Sequence, residues 1–307
     1  VAKLQFSIVV TCFNQKRFIA AAVDSALAQA HPDTEIIVVD DGSVDGSREL
    51  LEGYSDVIRL VRFPENRGAI EARNHGAALA RGEYLVFLDG DDLFTPWALR
   101  VYALAIAGRS PKIVIGCATW FEGDVPPRIT ERDRPTRIEL MDCPTLMAKD
   151  RPVWLSASVL VVERQTFNKV GGWTPGIFHM DLYDIAAKLG QVGRTVCVYL
   201  PFTALYRVHS ENSTQNVKAF VDMALHIVEK ENGGQYPRDS SGSLQRQAWF
   251  GGMVAFWTKK AARSGLYRAA AALAASGSVM FLAAALRGAF LKVKGPRPLL
   301  TLEWPNG

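Results

Sequence analysis

The sequence predicts an α/β fold: a mostly parallel sheet flanked by helices, followed by a helical C-terminal extension. Three observations carry this. Short β-branched runs alternate with segments of helical period from the N-terminus onward. Polar and glycine-bearing clusters fall directly after those runs, where a parallel sheet gathers its ligands. After about residue 216 the pattern is helical alone. The 307 residues are 49% apolar and 21% charged, which argues against a disordered, collagenous or multi-spanning membrane protein.

Taken in order, strands are expected at 5–10 (QFSIVV), 35–39 (EIIVV), 57–62 (VIRLVR), 83–88 (EYLVFL) and 112–117 (KIVIGC). Between them Phe18, Ala22 and Ala26, spaced by four, mark the first helix. Ser43 and Ser47 lead into Leu50-Leu51 for the second helix, and 69–80 form the third. Thr95-Pro96 predicts the start of the fourth, a capping residue followed by proline where a missing N–H costs nothing, running to Ala107. Residues 121–152, rich in Pro, Arg and Asp, read as a long excursion outside the core. Beyond it come a strand at 156–162, a Gly171-Gly172-Trp173 turn, a helix near 181–189 and strands near 195–199 and 203–208.

The net charge is only +4, so neutralising many nucleic-acid phosphates is not the expected task, and no nucleic-acid partner is predicted. The charge is uneven: residues 244–307 hold nine Lys or Arg and one acid, Glu303. Cys12, Cys117, Cys143 and Cys197 are far apart, without a C-x-x-C pair or histidines at zinc spacing, which favours a reducing cytoplasm. The N-terminus lacks a signal-peptide pattern. Residues 269–286 are uncharged but alanine-rich and broken by Ser276-Gly277-Ser278, so two short buried helices are expected there rather than a span.

Every strand of the first half ends in polar residues: Thr11-Cys12-Phe13-Asn14, Asp40-Asp41-Gly42-Ser43, Asn66-Arg67-Gly68 and Asp89-Gly90-Asp91-Asp92. Three carboxylates within four residues repel one another unless a cation holds them, which implies a hard divalent ion completed by substrate phosphate and water. The plainer reading is a solvated turn with helix-capping aspartates.

These residues resemble the inverting glycosyltransferases of family 2, which have the GT-A fold, a Rossmann-like α/β arrangement. The resemblance covers roughly 5–215 and rests on FSIVVTCFNQ, EIIVVDDGSVDGS, ENRGAIEARNHGAALARGEYLVFLDGDD, VGGW and YRVHSENST, in family order and spacing. It implies an enzyme that moves one sugar, with inversion, from a nucleotide-diphosphate sugar to a hydroxyl of a glycan or lipid-linked acceptor in polysaccharide or other glycan biosynthesis. Mn²⁺ or Mg²⁺ is the implied cofactor. The domain would span 1–216, its donor half about 1–118 and its acceptor half about 119–216, with a basic α-helical region at 217–307.

By that resemblance Thr11, Phe13, Asp41 and Arg73 would hold the base, ribose and diphosphate of the donor, with Asn14 and Gly90 in the same site and Asp40 supporting. Phe13 stands where the family often has Tyr, so a base can be stacked without a phenol hydrogen bond. Asp89 would bind ribose and Asp91 the metal, with Asp92 a second ligand or a helix cap. Inversion requires a general base, which in that family is an aspartate at a helix start, usually after an acid. Alignment through GGW puts Asp181 there with Met180 in place of the acid, and Asp184 is the alternative. His209 resembles the family position near the donor diphosphate, from which an imidazole can reach metal or phosphate; Arg207 and Ser210 neighbour it. Asn74 and His75 are expected to serve packing or the surface.

On the acceptor side Trp154 and Trp173 either offer apolar faces to a sugar ring or belong to the core. Residues 244–307, with Trp249, Met253 and Trp257 in a stripe and Lys259, Lys260, Arg263, Arg268, Arg287, Lys292, Lys294 and Arg297, suit an anionic membrane surface or a lipid-diphosphate acceptor. A solvated basic face or a homodimer contact is the other reading. A processive synthase is disfavoured, because Gln245-Arg246-Gln247-Ala248-Trp249 lacks the Arg that precedes Trp in the Gln-x-x-Arg-Trp motif. The competing classes are a sugar-phosphate nucleotidyltransferase, a receiver-like signalling domain and an inactive relative that only binds. The first would carry a Gly-rich basic loop where this chain has TCFNQ, and the second a phosphoacceptor Asp where it has Phe63-Pro64-Glu65.

Overall fold

Every residue of the first strand, β1 (Phe6–Cys12), is buried, with Phe6, Ile8, Val10 and Cys12 on one face and Ser7, Val9 and Thr11 on the other, both faces being covered. It is followed by α1 (Ile19–Leu27), β2 (Thr34–Asp40), α2 (Ser47–Glu52), β3 (Arg59–Arg62), α3 (Ala69–Leu79) and β4 (Tyr84–Asp89). Then come β5 (Leu93–Phe94), α4 (Ala98–Ile106), β6 (Ile113–Ile115), β7 (Ala118–Glu122), β8 (Arg137–Cys143), β9 (Leu160–Glu163), α5 (Arg164–Lys169) and α6 (Asp181–Leu189). The chain continues through β10 (Thr195–Leu200), β11 (Ala204–Val208), α7 (Val217–Asn232), α8 (Ser243–Arg263), α9 (Tyr267–Ser276), α10 (Ser278–Lys294) and β12 (Leu300–Glu303). The computed structural model describes residues 6–29, 31–130, 133, 135–148, 155–190, 192–210, 216–237, 243–294 and 299–304. Trp154, Arg297 and the side chains of Lys292 and Lys294 lie outside what it describes.

Among the described residues the main sheet has the order β12-β8-β10-β6-β9-β4-β1-β2-β3, and β5-β11-β7 form a smaller one. Parallel pairing joins β1 to β2 and β4, β2 to β3, and β10 to β6. Only β8 and β9 run against the rest, each antiparallel to both neighbours, so the expected mostly parallel sheet is present.

The structure departs from the sequence reading in four places. The excursion at 121–152 contains a core strand: in β8, Ile138, Leu140, Met141 and Cys143 are buried, hidden from a compositional reading by the Pro, Arg and Asp before them. The expected strand at 156–162 begins only at Leu160, since 157–159 form a 3₁₀ turn on which the Ser156 hydroxyl accepts the Ser158 N–H. Helix α4 starts at Ala98 and lacks the expected cap, because the Thr95 hydroxyl donates to the Phe202 carbonyl instead. Finally, the C-terminal stretch is not helical throughout, since β12 pairs with β8 at the sheet edge.

Helices α7 to α10 gather a second apolar cluster around Phe220, Ile227, Phe250, Val254 and Leu273. The Trp249, Met253 and Trp257 stripe packs into it, with Trp257 stacked on Phe220 at 4.5 Å, which makes the stripe core rather than membrane-facing. The two helices expected at 269–286 are present, bent by 74° between Ser276 and Ser278, but they are not buried throughout: Val279, Leu282 and Leu286 are exposed. No single helix among the described residues is long and apolar enough to cross a membrane.

At the sheet end opposite the polar strand ends, Glu35 accepts the Ser7 hydroxyl (2.6 Å) and the Arg81 N–H (2.6 Å), pinning the approach to β4 onto β1 and β2. Burial works against its charge, but these bonds and the Arg81 guanidinium outweigh it, holding the carboxyl below its ordinary range. A lowered folded value gives stabilisation that is complete above the unfolded pKa, about 4.3, and is lost as pH falls through the folded value. Glu35→Gln is therefore expected to unfold at lower urea than the parent at about pH 7 and to lose that deficit as the pH falls through the folded value. A deficit unchanged at acid pH would assign it to shape rather than charge.

Candidate active site

The carboxyl ends of β1, β2 and β4 open into a cleft of about 530 Å³, the end at which loops and helix starts of a parallel sheet converge. Of the residues singled out from sequence, Thr11, Phe13, Asn14, Asp41, Arg73, Asp89, Gly90, Asp91 and His209 line it. Asn66 and Gly68, named among the polar strand ends, line it too, as do Gln15, Phe178 and Tyr206, for which neighbourhood in the motifs was the only sequence signal.

The loop after β2 is shaped by its two aspartates, which divide the work. Asp41, at the cleft, accepts the N–H groups of Arg67 (2.7 Å) and Gly68 (2.8 Å) and so fixes the turn into α3. Burial raises its pKa even against those two donors. Asp40 does not reach the cleft: fully buried, it accepts the Ser43 N–H (3.1 Å) and Arg48 Nε (3.1 Å). Gly42 bridges to the following strand with φ +74°, and a Cβ there would stand 2.4 Å from the Glu65 carbonyl carbon, so only glycine fits. Asn14 ties the β1 loop to this one, its side-chain oxygen accepting the Val44 N–H (2.9 Å) while its own N–H donates to Ser43 Oγ (3.0 Å). Phe13 presents a ring that is 42% exposed, enough to cover a flat ligand.

At the centre, Arg73 on α3 joins two carboxylates distant in sequence. One Nη donates to Asp89 at the end of β4 (2.7 Å) and the other to Asp181 at the start of α6 (2.7 Å), while the guanidinium lies over the Trp173 ring. Burial alone would lower the Arg73 pKa; the two carboxylates more than reverse this and raise it, keeping the cation charged. Burial pushes the Asp89 carboxyl up, Arg73 draws it down, and Asp91 adds repulsion, leaving it raised. Gly90 lets the chain pass: a Cβ would lie 2.3 Å from Gln15 Oε1 and 2.6 Å from the Thr11 carbonyl oxygen.

The acidic triplet then splits by direction. Asp91 faces the cleft with Oδ2 3.0 Å from His209 Nε2. Asp92 turns inward, accepting the Ser158 hydroxyl (2.6 Å) and the Arg207 N–H (2.9 Å), and is 1% exposed. This corrects the expectation of a second metal ligand: both oxygens are used inside the protein. Burial, then Asp91 and Asp89, push its pKa well up. Arg207, fully buried between Phe18 and Phe121, donates to the carbonyls of Asp91, Gly123 and Asp124, so it fixes the Asp91 backbone rather than meeting substrate.

Asp181 and Asp184 also separate. Asp181 is reached from the cleft through Arg73, whereas Asp184 is buried and accepts Lys230 Nζ (2.6 Å), the Tyr236 hydroxyl (2.7 Å) and the Thr174 hydroxyl. A carboxylate so enclosed has no path to an incoming hydroxyl, which corrects its candidacy as base. Met180 is fully buried in the C-terminal cluster, so an apolar residue replaces the acid because α7 covers that position. Asn74 clamps Trp173 by both main-chain groups (2.8 and 2.9 Å), and Trp173 is wholly buried, a support for Arg73 and no sugar platform. His75 packs edge-on against Phe63, as expected of it.

A carboxylate and an imidazole converging on the cleft fit a hard divalent ion. No group of three or more His, Cys, Asp or Glu is gathered among the described residues, so substrate phosphate and water would complete the sphere. Residues 7–153 match the sequence model of the family described as Glycosyl transferase family 2. Residues 7–153 form a domain of this family. Over 89 residues the chain is 42% identical to the putative teichuronic acid biosynthesis glycosyltransferase TuaG of Bacillus subtilis, 28% of this chain and 35% of that one. Matched stretches span 31% to 62% of the first three curated relatives' own length. Among solved structures, S. aureus TarS 1-349 in complex with UDP-GlcNAc superposes with TM-score 0.55 at 15% identity, covering 90% of each chain. The mannosyltransferase PcManGT of Pyrobaculum calidifontis, in complex with GDP-Man and Mn²⁺, does so with TM-score 0.55 at 19% identity, covering 94% of this chain and 88% of that one. At such identities these likenesses establish the fold, GT-A. The family match over residues 7–153 favours a glycosyltransferase over the nucleotidyltransferase and receiver readings.

Proposed function

We propose that this glycosyltransferase moves a single sugar, with inversion, from a nucleotide-diphosphate sugar to a hydroxyl of a glycan or lipid-linked acceptor, in the assembly of a polysaccharide or related glycan at the cytoplasmic side of a membrane. The observation that carries the reading is the Arg73 bridge: one buried cation orders Asp89 on the donor side and Asp181 on the acceptor side. The teichuronic acid biosynthesis for which TuaG is named and the nucleotide sugars bound to TarS and PcManGT support the product and donor classes.

In the mechanism Phe13 covers the base and Asp89 holds the ribose, while Asp41 keeps the β2 loop open around them. Asp91 and His209 are the residues that would hold Mn²⁺ or Mg²⁺, whose chemistry there is to neutralise charge on the departing nucleoside diphosphate. Asp181 takes the proton of the acceptor hydroxyl as it attacks the anomeric carbon opposite that diphosphate, and Arg73 fixes which carboxylate oxygen does so. Asp184 positions α6 through Lys230 and Tyr236.

Asp91→Ala is expected to abolish metal-dependent donor binding and to leave the fold intact, since its carboxylate meets His209 at the cleft. Calorimetric titration of donor with and without Mn²⁺ checks this, and undiminished metal dependence would remove Asp91 from the ligand set. For the reaction itself, NMR of the product from a radiochemically identified donor is expected to show the anomeric configuration inverted. Retention would overturn the single-displacement reading, and absence of transfer from any nucleotide sugar would favour the binding-only relative.

A further inference from the structure

Helices α9 and α10 are apolar on both sides. Inward, Ala270, Leu273, Met280 and Ala283 are buried in the C-terminal cluster. Outward, Tyr267 and Val279 are each 71% exposed, Leu282 62% and Leu286 55%, with exposed alanines between them. No charged residue stands between Arg268 and Arg287, a stretch in which the solvent face of a water-exposed helix ordinarily carries charges. An outward apolar ridge of this kind marks a surface that meets another phase or partner.

The charge around the ridge decides which. From residue 240 to residue 302 there is no Asp or Glu, while Lys259, Arg263 and Arg268 are exposed. A surface of apolar side chains on helices that carry cations and no acid complements anionic headgroups over acyl chains. The 74° bend between α9 and α10 suits two short helices lying in the interface. We propose that the outward faces of α9 and α10 dock this glycosyltransferase on an anionic phospholipid bilayer.

The docking face is tied to the acceptor half. Arg287 on α10 donates to the Met147 carbonyl (3.0 Å), and α7, packed in the same cluster, holds α6 through Lys230 and Asp184 (2.6 Å). The inference deepens the proposed function and rests on it for one consequence, that the acceptor hydroxyl is carried by a lipid of the same bilayer. Membrane contact itself is measured apart from transfer.

The test is flotation of the full chain with vesicles of phosphatidylcholine alone or mixed with phosphatidylglycerol. The parent is expected to float with the anionic vesicles and not with the neutral ones. The double variant Leu282→Glu, Leu286→Glu, exposed and remote from the cleft, is expected to bind them at least about tenfold more weakly, with its donor-induced thermal shift unchanged. Parent protein that stays unbound in anionic vesicles overturns the proposal whatever the variant does. So does flotation unaffected by the two glutamates, or a parent dimer in sedimentation that they dissociate. Loss of the donor shift in the parent would strike the transfer reading and leave the docking result standing.

Discussion

Asp181→Asn is expected to fold and bind donor as the parent does and to lose sugar transfer by about 10²-fold or more. The amide preserves the shape at the start of α6 and can still accept from Arg73, but it cannot take the acceptor proton. The neighbouring change Asp184→Asn is expected to behave differently. There the loss is one of stability, because Lys230, 14% exposed in its side chain, would face a neutral amide where it now has a carboxylate. Comparing kcat with unfolding in urea for the two variants separates the roles. Near-normal turnover in Asp181→Asn would move the base elsewhere.

Removal of Arg73 is expected to have the largest effect on stability. Its side chain is 9% exposed and compensates both Asp89 and Asp181. Breaking such a buried pair by deleting one partner costs about 3–5 kcal/mol, since the remaining charges stay desolvated and repel each other. Arg73→Ala should therefore unfold at markedly lower urea and bind no donor. Arg73→Lys should recover part of the stability and little activity, because a single ammonium cannot span two carboxylates in the way the guanidinium fork does. Parent-like stability in Arg73→Ala would show that the two carboxylates do not depend on it.

Much of this arrangement was legible in the sequence because it is local. The strands of the donor half, the polar residues at their ends and the glycines that let loops pass one another are signalled within a few residues. What escaped was decided by distant partners. Asp91 and Asp92 are adjacent and alike in sequence, yet His209 draws one to the cleft and Ser158 with Arg207 hold the other inside. Asp184 looked like an alternative base one turn from Asp181 until Lys230 and Tyr236, contributed by the C-terminal region, closed over it. Met180, read as a departure from the family pattern, is the residue that lets that region pack on α6. Strand β8 was obscured by its polar surroundings and by a partner, β12, that lies at the far end of the chain.

The central claim is that the cleft binds a nucleotide-diphosphate sugar with a divalent ion held by Asp91 and His209. Thermal unfolding of the full chain with UDP-, GDP-, dTDP- and CDP-sugars, each with and without Mn²⁺, tests it most directly, since a ligand of the folded state raises apparent stability by mass action. The account predicts a rise with one nucleotide class that requires Mn²⁺ and disappears in Asp91→Ala. A rise of equal size without metal and undiminished in that variant would contradict it.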